Sequence, residues 1–423
     1  MKNIAIIGSG ISGLTCAYLL NRKHKVTVFE KNDYIGGHTA TKDITLNNKS
    51  YAIDTGFIVC NDKTYPNFLK LLKQLNVTLQ PTEMSFSVFN KQSNLEYNGH
   101  TLNSLFAQRR NIFSIKFWRL IKAIIRFNKR CKTLYLEDNI DKNETLGDFL
   151  KQHNFSEYFK QNYILPMGAA IWSTSLIEME AFPLHFFIRF FHNHGLLNIT
   201  DRPQWYVIPG GSREYIKPLT ASLADNIKLN CDISHVIRHK ANIEVVFKNG
   251  DSSLFDEVVF ACHSDQALAL LQTPSKAESN ILGNIMYSGN EVVLHTDTNL
   301  LPKRKLAWAS WNYLLDNTST QEQLTRPSCV TYNMNILQGL TDTDETFCVT
   351  LNQTDKIDPS KIIDIYVYHH PIFNQQSLDA QYRRHEICGH NHTHFAGAYW
   401  RNGFHEDGVV SALVIAKRFG IGL

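Results

Sequence analysis

Three glycines set one and two residues apart, Gly8, Gly10 and Gly13, are the first residues in this sequence whose spacing suggests chemistry. A glycine at the first position turns the chain tightly, and one at the second lets backbone amides approach a phosphate. One at the third lets the following helix lie close on a sheet. Ser12 stands inside the same turn. Glu30 follows about 20 residues beyond the turn, where a carboxylate accepts hydrogen bonds from a ribose. The set suits a dinucleotide, with its diphosphate on a helix N-terminus and its ribose on the acid.

Such a turn works only between a strand and a helix. Residues 3–7 read as a buried parallel strand, Leu14, Ala17, Tyr18 and Leu20 carry the apolar period of a helix, and residues 25–29 read as a second strand ending at Glu30. The start resembles a signal peptide in outline, but Gly8, Ser9 and Gly10 interrupt the apolar run, so it is a strand. No apolar run approaches the 18 to 20 residues, roughly, that span a bilayer. A chain of 423 residues, 43% hydrophobic and 19% charged, is long enough for two cores. Its net charge of +4 points to neither nucleic acid nor membrane. Eight scattered cysteines without a CxxC pair fit a reducing compartment, hence the cytoplasm.

Two further motifs favour FAD over NAD. Gly36-Gly37-His38-Thr39 follows Glu30, and Asp54-Thr55-Gly56-Phe57 comes later. With the glycine turn, Ala17 and Glu30, they resemble the N-terminal half of the flavin-containing amine oxidase superfamily, which includes monoamine oxidases, protoporphyrinogen oxidases and carotenoid desaturases. The resemblance implies that Gly37 and His38 lie along the cofactor's diphosphate and ribityl chain, and Gly56 and Phe57 beside its ring. His38 stands where these enzymes usually carry Arg. Val236 matches a position whose backbone meets the adenine. Phe395-Ala396-Gly397-Ala398 and Gly403 to Leu413 resemble the closing segment, whose helix N-terminus points amides at the flavin. Ala398 replaces an acid that bonds the ribityl hydroxyls, a contact Glu406 or Asp407 would take over. The segment 395–411 has no cysteine, so the FAD is expected to be non-covalent. Pro166 to Ser173, Ile208 to Ser212 and Trp308 to Tyr313 further resemble a bacterial subfamily of predicted NAD/FAD-binding proteins associated with cyclopropane-fatty-acyl-phospholipid synthases.

The expected architecture is α/β. A Rossmann-like FAD-binding domain is assembled from residues 1–80, 205–280 and 388–423, and an α+β substrate domain is inserted as residues 81–204 and 281–387. The resemblance implies transfer of a hydride equivalent from an apolar, fatty-acyl or lipid-linked small molecule to flavin N5, without use of NADH. The alternatives are an amine or polyamine oxidase, or a non-catalytic flavin-binding partner of a lipid-modifying enzyme. Tyr399 and Trp400 are expected as substrate walls, and His405 as a proton carrier. Phe186, Phe187, Phe190 and Phe191 follow helical spacing and read as core. His192 and His194 read as solvated or helix-ending. Lys303 and Lys305 are candidates either for a lysine near N5 or for a solvated pair. Cys388, His390, His392 and His394 would share one face of a strand, but a single segment converges poorly on an ion, and no metal is expected.

One charge anomaly remains. No Asp or Glu occurs between Glu96 and Glu137, while Arg109, Arg110, Lys116, Arg119, Lys122, Arg126, Lys129, Arg130 and Lys132 interleave with Phe113, Phe117, Leu120, Ile121, Ile124 and Ile125. As one helix, this segment, 109–132, is amphipathic and basic. It suits either a core-packed surface helix or peripheral contact with the inner membrane face. No nucleic-acid partner is expected.

Overall fold

The computed structural model describes residues 1–316 and 320–423, leaving aside the side chains of 320, 321 and 323. Strand β1 (Asn3–Ile7) leads through the glycine turn into helix α1 (Ile11–Leu20), and β2 (Lys25–Phe29) returns beside β1. Both strands are apolar and nearly continuous because the sheet they enter is covered on both faces. Its other members come from far along the chain: β3 (Ile227–Lys228), β4 (Glu257–Phe260) and β5 (Thr393–Phe395). The order is β3-β2-β1-β4-β5, and every pairing is parallel. The chain leaves β1 towards β2 on one side, and β4 lies on the other. The crevice beyond the carboxyl end of β1 is therefore a topological switch point, where open α/β sheets bind ligands.

A second sheet of seven strands runs, in spatial order, through residues 362–371, 287–295, 348–351, 330–333, 311–315, 86–90 and 95–98. Its pairings are antiparallel except that of 311–315 with 86–90. Helix α2 (Pro66–Gln74) packs with α1 beside the glycine turn, while α3 (Ile115–Leu136) and α4 (Leu184–Asn193) belong to the core of the second sheet. In α4, Phe186, Phe187, Phe190 and Phe191 are all buried, so their helical spacing is core packing. The chain closes on α5 (His405–Arg418), which crosses the first turn of α1. A Cβ at Gly408 would stand 2.7 Å from Ile11 Cγ2 and 2.9 Å from Ser12 Oγ, so this crossing depends on a glycine. Among the described residues no helix is long and apolar enough to cross a membrane.

Candidate active site

The glycine turn has the geometry its spacing suggests. Gly8 has φ +105°, and a Cβ there would meet the Ala261 carbonyl oxygen at 2.8 Å. A Cβ on Gly13 would fall 2.0 Å from the Gly8 carbonyl oxygen, so α1 lies where only glycine lets it. Gly10 differs: nothing among the described residues lies within 4 Å of a Cβ placed there. It opens α1, whose start has no side-chain cap and no acid in its first turn. Unmatched amides and a positive dipole thus face open space, as an anionic diphosphate requires. Gly36 bridges to Gly10, and a Cβ on Gly37 would sit 3.2 Å from the Gly10 Cα, so the two glycine motifs lie back to back. The buried Glu30 carboxylate accepts the Ser9 amide and hydroxyl at 2.9 and 2.6 Å, and the Asn32 amide at 2.9 Å. It is held at the rim of this space at the end of β2.

His38 follows the glycine pair. Its carbonyl accepts the Phe57 amide at 2.7 Å and passes so close to Gly56 that a Cβ there would lie 2.2 Å away. Asp54 anchors the same loop from beneath. Its buried carboxylate accepts the Thr41 hydroxyl at 2.6 Å and both the amide and hydroxyl of Ser212 at 2.9 Å, which ties in the Ile208 to Ser212 motif. Burial, outweighing these donors, pushes Asp54 up to about 6. The His38 ring lies 5.3 Å from Tyr368, 5.7 Å from His370 and 6.2 Å from His263, and its buried Nε2 has no partner among the described residues. Burial first, then the neighbouring His370, His263 and His369, lowers His38 to about 3. A buried imidazole nitrogen without a partner, next in sequence to the glycine pair that abuts Gly10, fits a cofactor phosphate or ribityl oxygen. The sequence reading found His38 but missed His263, His370 and Tyr368, which arrive from two other parts of the chain.

At the closing segment, His405 stacks on Phe57 with ring centroids 3.6 Å apart and planes 14° apart. Its Nε2 lies 3.1 Å from the Thr39 hydroxyl and 3.2 Å from the Tyr215 hydroxyl. Burial, with His38 nearby, holds it well below the usual imidazole range, so it is neutral. The two acids beside it are engaged by the protein itself. Glu406 accepts the amides of Asn67 and Phe68 and the Asn67 side chain, capping α2, while Asp407 accepts the Phe404 amide at 3.0 Å. Burial raises both, Asp407 to about 6.

Tyr399 and Trp400 pack into the apolar core of the five-stranded sheet. The Trp400 indole donates to the Phe395 carbonyl at 3.1 Å, and the Tyr399 ring lies 4.9 Å from it. The aromatic residues on the other side of the closing segment are different ones. Phe404 stacks on Phe190 at 5.3 Å, Phe190 lies 4.9 Å from Trp172, and Phe373, which flanks Gly403, stacks on Phe186 at 5.2 Å. His194 ends α4, but it is buried against Phe190 rather than solvated, and burial lowers it to about 4. Val236 is buried, and its carbonyl accepts the Gln272 amide at 3.1 Å. Lys303 and Lys305 are exposed, the latter near the Trp308 ring. The 388–394 tract is not one strand, because Asn391 and His392 turn through positive φ. No three metal-ligating side chains converge among the described residues.

Comparison with known proteins places this geometry. The model of the family described as flavin containing amine oxidoreductase matches residues 11–418. The 1-hydroxycarotenoid 3,4-desaturase of Flavobacterium sp. (strain P99-3) is 30% identical over 158 residues, a match spanning 34% of this chain and only 30% of that enzyme's length. Solved structures share the fold. The CLA-producing fatty acid isomerase from P. acnes has a TM-score of 0.72 at 15% identity, covering 99% of this chain and 98% of that one. The cyclohexylamine oxidase from Brevibacterium oxydans IH-35A has 0.68 at 12% identity, covering 99% of each. Matched from Ile11, at the start of α1, to the end of the closing helix, the chain belongs to the flavin containing amine oxidoreductase family and is a flavin-dependent oxidoreductase.

Proposed function

We propose that the protein binds FAD non-covalently and oxidises an apolar, fatty-acyl or lipid-linked substrate. The observation that carries this reading is the aromatic wall of Phe404 and Phe373 against the closing segment, backed by the core residues Phe190, Trp172 and Phe186, together with the commitment of Glu406 and Asp407 to helix capping. An ammonium substrate calls for a carboxylate to face it, whereas a hydrocarbon calls for aromatic surface and exclusion of water. Two of the similar proteins have a carotenoid and a fatty acid in their names, which supports the same class. Cyclohexylamine oxidase represents the competing class.

In this reading Gly10, Gly37 and His38 would hold the FAD, with Glu30 for its ribose, Val236 for its adenine and Phe57 for its ring. Residues 1–80, 205–280 and 388–423 form the cofactor domain, and 81–204 with 281–387 the substrate domain. A bound flavin supplies a hydride acceptor at N5. The chain's own residues do the rest. The aromatic wall orients the substrate and excludes water, and the Thr39 or Tyr215 hydroxyl takes up the proton that the substrate releases with its hydride equivalent while passing its own to Nε2 of the neutral His405 imidazole beside it. The motifs shared with the subfamily near cyclopropane-fatty-acyl-phospholipid synthases make a membrane phospholipid acyl chain the substrate to try first, at the cytoplasmic face of a bilayer. Anaerobic titration of the yellow holoenzyme tests this. Bleaching by acyl or phospholipid substrates but not by amines supports the reading, and bleaching by a primary amine or polyamine overturns it. Acid precipitation should release all the flavin, and NADH should not bleach it at a catalytically useful rate.

A further inference from the structure

The basic segment does not form the single amphipathic helix that its periodicity suggests. Helix α3 begins only at Ile115, capped by the Ser114 hydroxyl, which accepts the Phe117 amide at 3.3 Å. Its apolar face, with Phe117, Leu120, Phe127 and Cys131, is buried in the core. Phe113 lies outside α3, in a short turn spanning Arg109–Phe113, and does not join that face. It is 87% exposed, and beside it Ile112, Ile115 and Trp118 are 43%, 71% and 50% exposed. Leu102, at the start of the preceding short helix, is 78% exposed.

Contacts join these residues into one tip. The Trp118 indole donates to the Ile112 carbonyl at 2.8 Å, and its ring lies 5.4 Å from Phe106. Arg109 donates to the carbonyls of Asn103 and Phe106, which fastens the Leu102 helix to the turn that holds Phe113. Around the tip stand Arg109, Arg110, Lys116, Arg119 and Lys122, all exposed. Among the described residues they meet carbonyls, an amide oxygen and a ring, not carboxylates: Arg110 donates to the Asn94 carbonyl, and Lys116 lies over Tyr158. No acid occurs in the sequence between Glu96 and Glu137.

We infer that this tip is a wedge that inserts into an anionic phospholipid bilayer, with Phe113, Ile115 and Trp118 entering the acyl boundary and the surrounding cations resting on the headgroups. Solvated surfaces mix both signs of charge, and exposed apolar residues usually occur singly. Protruding large apolar side chains ringed by one sign of charge match the two-layered chemistry of a lipid surface, apolar below and anionic above. A tryptophan at the edge of such a tip matches the preference of indole for the interface. The inference extends the lipid-substrate reading but stands on the surface alone, so the two can fail separately.

The test is co-sedimentation of the holoenzyme with phosphatidylcholine vesicles, with and without phosphatidylglycerol, at low and high salt. Binding should require the anionic lipid and fall with salt. Phe113→Ser with Ile115→Ser, and separately Arg119→Glu with Lys122→Glu, should each weaken it about tenfold or more, with flavin content and absorbance unchanged. Brominated lipids should quench emission in the wild type more than in Trp118→Phe. Failure to bind anionic vesicles at low salt overturns the proposal, as does binding indifferent to both double variants. Tip-dependent retention on an acidic polypeptide without vesicle binding reassigns the surface to an acidic protein and overturns it as well. Vesicle binding without flavin reduction by any lipid leaves the wedge standing and removes the substrate reading.

Discussion

The carboxylate of Glu406 accepts the backbone amide of Phe68 at 2.8 Å, joining the first turn of α5 to the first turn of α2 across 338 positions of sequence. Glu406 also takes the amide and side chain of Asn67, so one buried acid serves as the N-terminal cap of a helix that lacks its own, since Tyr65 at its start contributes no side-chain bond. Replacing Glu406 with Ala leaves these donors unmatched, and a loss on the order of 2 kcal/mol is expected. Glu406→Gln, which retains one acceptor oxygen, should lose less. Urea unfolding of the apo forms measures both. Equal losses would show that the charge, not the acceptor, carries the contact.

Gly10 and Gly13 make opposite predictions although three residues apart. Gly10 has φ −66° and ψ 177°, ordinary for any residue, and open space before it. Gly10→Val should therefore fold with a wild-type circular dichroism spectrum yet purify without flavin, because its side chain occupies the space needed by the diphosphate. Gly13→Ala places a Cβ 2.0 Å from a backbone oxygen, which can be relieved only by moving α1, and should destabilise the protein by about 1–3 kcal/mol or more. Flavin retention by Gly10→Val would remove the diphosphate from this turn.

His38 gives a pH signature. Burial, together with His370, His263 and His369 facing it, lowers it to about 3 from the usual 6.5. As pH falls below 6.5 the unfolded chain gains a proton at this residue that the folded chain refuses. The stability present above 6.5 is therefore lost progressively towards 3. His38→Gln removes this slope, so the variant should gain on the wild type as pH falls from 7 to 5 and keep a constant offset above 7. The ceiling is about 1.4 kcal/mol per pH unit, and the side chain's partial exposure sets the real value below it. Urea midpoints for the two proteins at several pH values decide it, and parallel curves would mean that His38 titrates normally.

What the sequence revealed follows from how local each requirement is. The tasks of Gly8, Gly10 and Gly13 are set within one turn, so their spacing declares them. The meeting of His38 with His263 and His370 depends on how β4 and the strand 362–371 approach the turn, and no local pattern records that. The capping role of Glu406 carries no sequence signal because its partners, the α2 amides, are backbone groups present in any helix. Tyr399 and Trp400 lie inside a recognisable motif, but the direction of each side chain is set by packing, which turns both towards the sheet core and leaves Phe404 facing α4. Periodicity sets Phe113 on the apolar face with Phe117 and Leu120 because it assumes one continuous helix, and the Ser114 cap ends that continuity.

His405 carries the last prediction. Stacked on Phe57 and bonded to two hydroxyls, it is fully enclosed, and burial with His38 nearby keeps it neutral well below pH 6.5. A neutral imidazole can relay a proton, and one with so low an affinity hands it on rather than keeping it and remains neutral far into the acid range. If flavin reduction depends on it, the rate should hold steady as pH falls through 6.5, where an ordinary histidine would lose it, and fall only at lower pH. His405→Gln, which preserves a polar contact to Thr39 and Tyr215, should bind flavin as the wild type does, reduce it at least tenfold more slowly, and show no acid limb. Stopped-flow reduction across pH, alongside the flavin absorbance of each protein, separates the outcomes. A variant with the wild-type rate and profile assigns His405 to packing against Phe57 alone.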